Sequence, residues 1–265
     1  MSITVENLSF SYGDAPVLKN ISFSANDGEL LAVLGPNGVG KSTLFKCILG
    51  LLTGYSGKAY IDGQDCSKLS SRQLSQLIAY IPQSHYPSFN YSMLDMVLMG
   101  VTSQLGTFSS PGKEHIKQAE DAMEQLGILH LKNRGYTQVS GGERQLALIA
   151  RAITQKAKVL IMDEPASNLD YGNQMRVIQE VKRLTADGYT IIESTHNPDQ
   201  AFMSADRILA IHNGTVIADG KPTDVINSEL IKKLYGVDVD ILSAANDKIR
   251  FCVPTSILDI TTPSH

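Results

Sequence analysis

The run Gly35-Pro36-Asn37-Gly38-Val39-Gly40-Lys41-Ser42 fits G-x-x-x-x-G-K-[ST] and directly follows the apolar run Leu30–Leu34. Each residue type has a chemical use. Glycines let backbone N–H groups converge on phosphate oxygens with no Cβ in the way. A helix starting at Lys41 adds a dipole favourable to an anion. Lys41 can neutralise the β- and γ-phosphates of a nucleotide, and the Ser42 hydroxyl can ligate Mg²⁺. Thr43 is grouped with these nucleotide contacts. The alternative, a glycine-rich turn that merely opens a helix, leaves the lysine and the hydroxyl unexplained.

A second acidic feature closes Val159-Leu160-Ile161-Met162-Asp163-Glu164-Pro165, an apolar strand ending in two carboxylates. Asp163 suits a Mg²⁺ role beside Ser42. Glu164 is placed to orient or deprotonate an attacking water. A third feature is Val139-Ser140-Gly141-Gly142-Glu143, ahead of a helical pattern with Leu146, Ile149, Ala150 and Ile153 on one face. Ser140 and Glu143 match a capping box. That explains neither Gly141 nor Gly142, which are poor helix formers at a first turn. Glycines there allow close approach to an anion at a dipole-positive helix start. The chain thus carries two anion-binding helix starts but one set of Mg²⁺ chemistry, and the two need not come from the same copy.

The elements that must position these residues are legible in outline. Asp27-Gly28 and Asp62-Gly63 are hairpin-type turns beside alternating strands, so an antiparallel β element flanks the phosphate loop on both sides in sequence. Leu30–Leu34, Leu77–Ile81, Val159–Met162 and Tyr189–Ile192 read as strands buried on both faces, with helices between them. That pattern implies a parallel α/β sheet. A helix is expected from Lys41 to about Leu51. From about 86 to 139 strand signals fade, and Ile116, Ala119, Met123 and Leu126 fall at helical spacing, as in a helical insertion. Asn213-Gly214 turns a later hairpin, a helix lies near Val225–Leu234, and the last residues are weakly patterned.

Composition narrows the class. The 265 residues carry a net charge of −4 with no basic tract, whereas a dedicated nucleic-acid binder needs a positive surplus; no nucleic-acid partner is expected. Cys47, Cys66 and Cys252 form no paired motif and read as reduced thiols. No apolar run approaches the ~18 residues of a membrane span, so any membrane work would go through a partner.

These residues together resemble the ATP-binding-cassette ATPases. Ser140-Gly141-Gly142-Glu143 looks like the family's signature segment, with Val139 in place of the usual Leu. Gln83 resembles the Q-loop glutamine, a further Mg²⁺ ligand. Ser167-Asn168-Leu169-Asp170 resembles the D-loop, with Asn168 where Ala is more usual. His196 resembles the switch histidine that senses the γ-phosphate, with Asn197 for the common Asp, and Tyr12 resembles the aromatic that stacks on adenine. The resemblance implies a P-loop NTPase α/β core with an N-terminal antiparallel β-subdomain and an α-helical insertion subdomain, over about residues 1–240, with 241–265 a C-terminal extension. It also implies a homodimer in which each Mg-ATP lies between one chain's phosphate loop and the other's signature helix, Ser140 and Gly142 completing the site and Asp170 nearby.

A narrower resemblance points to importers of iron–siderophore, haem and cobalamin type. It rests on Asp170-Tyr171-Gly172-Asn173-Gln174, on Glu143-Arg144-Gln145-Leu146 with Ile149-Ala150-Arg151-Ala152, on Leu234-Tyr235-Gly236-Val237, and on Leu94–Gly100. In that group the partners are transmembrane permease subunits, met at the helical insertion, and indirectly an extracytoplasmic substrate-binding protein. The place implied is the cytoplasmic face of a bacterial membrane. Two rival readings stand beside it. A soluble cassette ATPase of translation or DNA repair would usually show a second cassette or coiled-coil arms. A P-loop small-molecule kinase would have no use for the glycine pair after Ser140.

Overall fold

The computed structural model describes residues 1–83, 89–105, 109–246 and 249–258. Its strands are β1 (Ile3–Tyr12), β2 (Ala15–Ala25), β3 (Leu30–Leu34), β4 (Ser56–Ile61), β5 (Gln64–Asp65), β6 (Ile78–Ile81), β7 (Val159–Asp163), β8 (Thr190–Thr195), β9 (Arg207–His212), β10 (Thr215–Gly220), β11 (Val239–Ala244) and β12 (Ile249–Pro254). A six-stranded sheet has the order β10-β9-β3-β8-β7-β6. It is parallel except for β10, which returns antiparallel through the Asn213-Gly214 turn. A four-stranded antiparallel sheet, β2-β1-β4-β5, brackets the phosphate loop in sequence.

Every residue of β3, β7 and β8 is buried, as continuous apolar runs covered on both faces require. Alternate residues of β3 feed different cores. Leu31 and Val33 join Ile161, Ile192 and helix α1 (Lys41–Ile48) beneath the antiparallel sheet. Helix α2 (Ser71–Leu77) adds Leu74 to that same core, while on the opposite face lie α3 (Met93–Leu98), α4 (Lys113–Gln125), α5 (Gly141–Gln155) and α6 (Tyr171–Ala186). Leu30 joins the core of α3 to α6, and Ala32 and Leu34 join a third core with Ala201, Leu230 and Ile231. That third core draws on α7 (Pro198–Ser204) and α9 (Ser228–Tyr235), with the short α8 (Pro222–Val225) between them.

Several boundaries differ from expectation for definite reasons. Asp27-Gly28 is a turn, with Gly28 at φ +68°, but it joins β2 to β3 in different sheets and closes no hairpin. Asp62-Gly63 does close one, between β4 and β5. Leu77 ends α2, and the strand starts at Ile78. The first helix stops at Ile48, its C-cap Leu49. β8 runs on through Glu193-Ser194-Thr195, polar residues that bond inside the protein. The helix near 225–234 is two helices, parted because Asn227 caps the second by accepting from the Leu230 N–H. The expected start of the insertion near residue 86 lies outside the described residues. Where described, that region is helical, in α3, α4 and short 3₁₀ turns. Beyond residue 238 the chain forms a β11–β12 hairpin, and a last turn α10 (Thr255–Leu258) follows it.

No described helix is long and apolar enough to cross a membrane. Cys47 and Cys66 are buried, Cys252 is half-buried, and all three are free thiols.

Candidate active site

The phosphate loop hangs between β3 and α1. The Gly35 N–H bonds the Thr195 carbonyl at 3.3 Å, and a Cβ on Gly35 would lie 2.5 Å from the Ile211 carbonyl oxygen. Gly38 (φ +84°) and Gly40 (φ +106°) hold conformations costly to any L side chain, and the space beside Gly38 is open. No side chain caps α1 at Gly40, so its first-turn N–H groups are left for a ligand or water. Lys41 is buried, and its Nζ donates to the Gly35 carbonyl at 2.7 Å and the Pro36 carbonyl at 3.1 Å. It also lies 3.5 Å from Glu164 Oε1. Burial lowers the lysine pKa, and Glu164 opposes the shift.

Glu164 stands just past β7 with φ +50°, a conformation uncommon for a residue with a side chain. Ser194 holds it there. The Ser194 hydroxyl accepts the Glu164 N–H at 3.0 Å and donates to Asp163 Oδ1 at 2.7 Å. Asp163 also pairs with the Tyr80 hydroxyl, whose pKa is pushed up to about 12 by burial and then by Asp163. Glu164 Oε2 receives Gln83 Nε2 at 3.1 Å and lies 3.1 Å from His196 Nδ1. Ser167 donates to the Glu164 carbonyl at 2.9 Å. One buried carboxylate thus touches a lysine, an amide and an imidazole brought in from three other segments of the chain.

Two hollows meet at this carboxylate. A groove of about 440 Å³ is lined by Tyr12, Val17, Gly38, Lys41, Ser42 and Glu164, with Asn37, Gly40, Thr43 and Gln83 completing it. Tyr12 is half exposed there and packs edge-on against Phe10 at 4.9 Å. A second hollow of about 290 Å³ is lined by Ser167, Asn168, Leu169 and His196, and shares Asn37, Gln83 and Glu164 with the first.

The remaining expected site residues are elsewhere. Ser140 caps α5: its hydroxyl accepts the Glu143 N–H at 3.3 Å, and Glu143 Oε2 accepts the Ser140 N–H at 2.7 Å. That bond holds the Glu143 carboxyl below the usual range. Asp170 likewise caps α6, accepting the Asn173 N–H at 2.9 Å, which lowers its pKa. Ser140, Gly141, Gly142, Glu143 and Asp170 line neither hollow. Gly142 has a packing reason as well: a Cβ there would overlap the Asn173 side chain, so the glycine lets α6 approach α5. Gly141 is looser, its Cβ position 3.4 Å from Leu169. Asn168, the departure from Ala, has φ +59°, where Asn is better tolerated than Ala.

Sequence reasoning missed Ser194, Tyr80 and Val17, and named Ser167 only as part of a D-loop-like segment without its bond to Glu164. The signal for Ser194 was a small polar residue two places beyond the apolar run Tyr189–Ile192 and two places before His196.

Residues 18–167, more than half of the chain, match the ABC transporter family. The chain belongs to that family. Among its relatives is an uncharacterized ABC transporter ATP-binding protein of Haemophilus influenzae, 38% identical over 91% of this chain and 92% of that protein. The hemin import ATP-binding protein HmuV of Bordetella pertussis is 33% identical over 92% of this chain and 95% of its own length. A probable iron chelatin transport ATP-binding protein of Helicobacter pylori is 33% identical over 96% and 100%. A solved inward-facing ABC transporter, described as of metal-chelate type, superposes with TM-score 0.84 at 33% identity over 96% of this chain and 97% of that one. This ABC transporter chain is therefore a nucleotide-binding ATPase with the ABC ATPase fold, of the kind that works with membrane-spanning permease subunits.

Proposed function

We propose that the chain is the ATP-hydrolysing subunit of a bacterial importer for iron-chelate, haem or cobalamin-type substrates. It acts as a homodimer on the cytoplasmic face of the membrane, under transmembrane permease subunits served by an extracytoplasmic substrate-binding protein. The ATPase domain is residues 1–240, with the helical insertion at about 86–139. The observation that carries the hydrolytic reading is the Glu164 carboxylate, buried at the junction of the two hollows within reach of Lys41, Gln83 and His196. The names of the relatives in Bordetella pertussis and Helicobacter pylori support the substrate class.

In this reading Tyr12 stacks on the adenine, and residues 35–43 with Lys41 hold the phosphates. Lys41 now spends its ammonium on two loop carbonyls and Glu164, contacts that a phosphate oxygen would exchange for its own. Among the described residues no three His, Cys, Asp or Glu side chains converge as a metal cage. The donor set is instead a hydroxyl, a carboxylate and an amide oxygen (Ser42, Asp163, Gln83). That set fits Mg²⁺, which keeps waters and phosphate oxygens and takes few protein ligands. Bound there, Mg²⁺ would neutralise charge on the transferring phosphoryl group. Glu164 accepts a proton from the attacking water, and His196 on its Oε2 side orients the carboxylate and contacts the γ-phosphate. Ser140, Gly141, Gly142 and Glu143, remote from this chain's groove, serve the partner's nucleotide, and Asp170 lies beside that contact.

Glu164→Gln is the test. It removes the base and keeps the hydrogen-bonding shape, so hydrolysis should slow by at least ~10²-fold, while an ATP-bound dimer accumulates on gel filtration. Near-normal turnover would overturn the assignment.

A further inference from the structure

The β11–β12 hairpin packs on α7, the helix that begins directly after His196. From Thr195 to Gln200 the backbone closes on itself. The Asn197 N–H bonds Thr195 Oγ1 at 3.1 Å, and Thr195 Oγ1 donates to Gln200 Oε1 at 3.1 Å. Asn197 Oδ1 caps α7, accepting the N–H groups of Asp199 at 2.9 Å and Gln200 at 3.3 Å. His196 projects from this knot toward Glu164. Asp199 ties the knot to the hairpin: the Cys252 N–H donates to Asp199 Oδ1 at 2.8 Å, and the Cys252 thiol is hydrogen-bonded to the same side chain. Cys252 pairs with Ile241 across the hairpin, and its N–H points away from β11 to reach α7. The half-buried Cys252 and Ile241 side chains pack on the third core with Ala201, so the hairpin is seated and not merely tethered.

We propose that Asp199 is a positioning residue for hydrolysis: clamped by the Cys252 N–H, it fixes the α7 start and so the distance of His196 from Glu164. The C-terminal hairpin is then a working part of the ATPase. This rests on the reading of His196 given above. Neither Asp199 nor Cys252 lines either hollow, so loss of the clamp changes turnover and not nucleotide affinity.

The full-length protein, with any membrane subunits it is purified with, is assayed beside five variants. Asp199→Ala should lower kcat about 5–10-fold, the scale of one ordinary net hydrogen bond expressed in the barrier, with KM for ATP within about twofold. Asp199→Asn keeps the acceptor oxygen and should stay within about twofold of the parent kcat. Cys252→Pro removes the N–H donor on the outer side of β12, and with it the thiol's bond to Asp199, so it should match Asp199→Ala. In a His196→Ala background, Asp199→Ala should add no further loss, because both act through one group. Equal losses in Asp199→Ala and Asp199→Asn, full additivity with His196→Ala, or normal kcat in Cys252→Pro would each overturn the clamp. If His196→Ala itself hydrolyses normally, the reading of His196 falls first, and the two failures are told apart.

Discussion

Glu193 sits in the middle of the molecule, three residues before His196, with 1% of its surface exposed. The Ser204 hydroxyl donates to its Oε1 at 3.2 Å. Burial pushes its pKa from 4.5 to about 7, with the Ser204 bond opposing. The folded state therefore holds a proton, between these two values, that the unfolded chain releases. Stability from this group is fully present below about pH 4.5 and is lost as pH rises through about 7. The full span corresponds to about 3 kcal/mol, most of it falling between pH 5 and pH 8. Glu193→Gln keeps the shape and the Oε1 acceptor but cannot ionise. Its stability relative to the parent should improve by about 2–3 kcal/mol on going from pH 5 to pH 8. At about 2–4 °C per kcal/mol for a domain of this size, the Tm gap should widen by roughly 5–10 °C. Thermal unfolding of both proteins at half-unit pH steps, followed by circular dichroism, reads this directly. A Tm difference that stays constant across the range would refute the reasoning, because it would mean that Glu193 gains no proton on folding.

Ser194→Ala strips partners from the buried Asp163 carboxylate and from the Glu164 N–H. It should cost about 1–3 kcal/mol, seen as a Tm lower by several degrees, together with slower ATP turnover. Gly142→Ala drives a methyl group into Asn173 and should destabilise by about 1–3 kcal/mol. Adding Asn173→Gly should recover much of the lost Tm, whereas no recovery would show that the α5–α6 contact is not what requires the glycine. Asn168→Ala places alanine at φ +59° and should lower stability by about 1 kcal/mol, measurable by urea titration.

The parts of the fold that could be read in the sequence were those where one requirement dominates. A strand buried on both faces must be apolar throughout, so β3 and β7 were visible. A phosphate loop must combine glycines, lysine and a hydroxyl, so residues 35–42 were visible too. β8 was truncated in the sequence reading because Glu193, Ser194 and Thr195 look like a loop; each is buried with a tertiary hydrogen-bond partner that no local pattern announces. Asp27-Gly28 was a correct turn assigned to the wrong connection, since turn chemistry does not say which sheet the next strand joins. Gly142 was read as making room for an anion, and the structure adds Asn173 as a neighbour needing that room. The β11–β12 hairpin was invisible because its seat on α7 depends on contacts made across more than fifty residues of chain.

The register of β8 has a consequence for how this enzyme can vary. Ser194 is level with Val33 on one side and Asp163 on the other, while Glu193 is level with Ala32 and Met162. Neighbouring residues of a strand face opposite ways, so losing a single residue upstream in β8 would exchange the two. The acid now sealed beneath α7 would then face Asp163, and the hydroxyl that steadies Glu164 would be turned into oil. Length changes in this strand should therefore be far less forgiving than substitutions. The surface turn at Asp187-Gly188 that feeds it is where insertions can be absorbed.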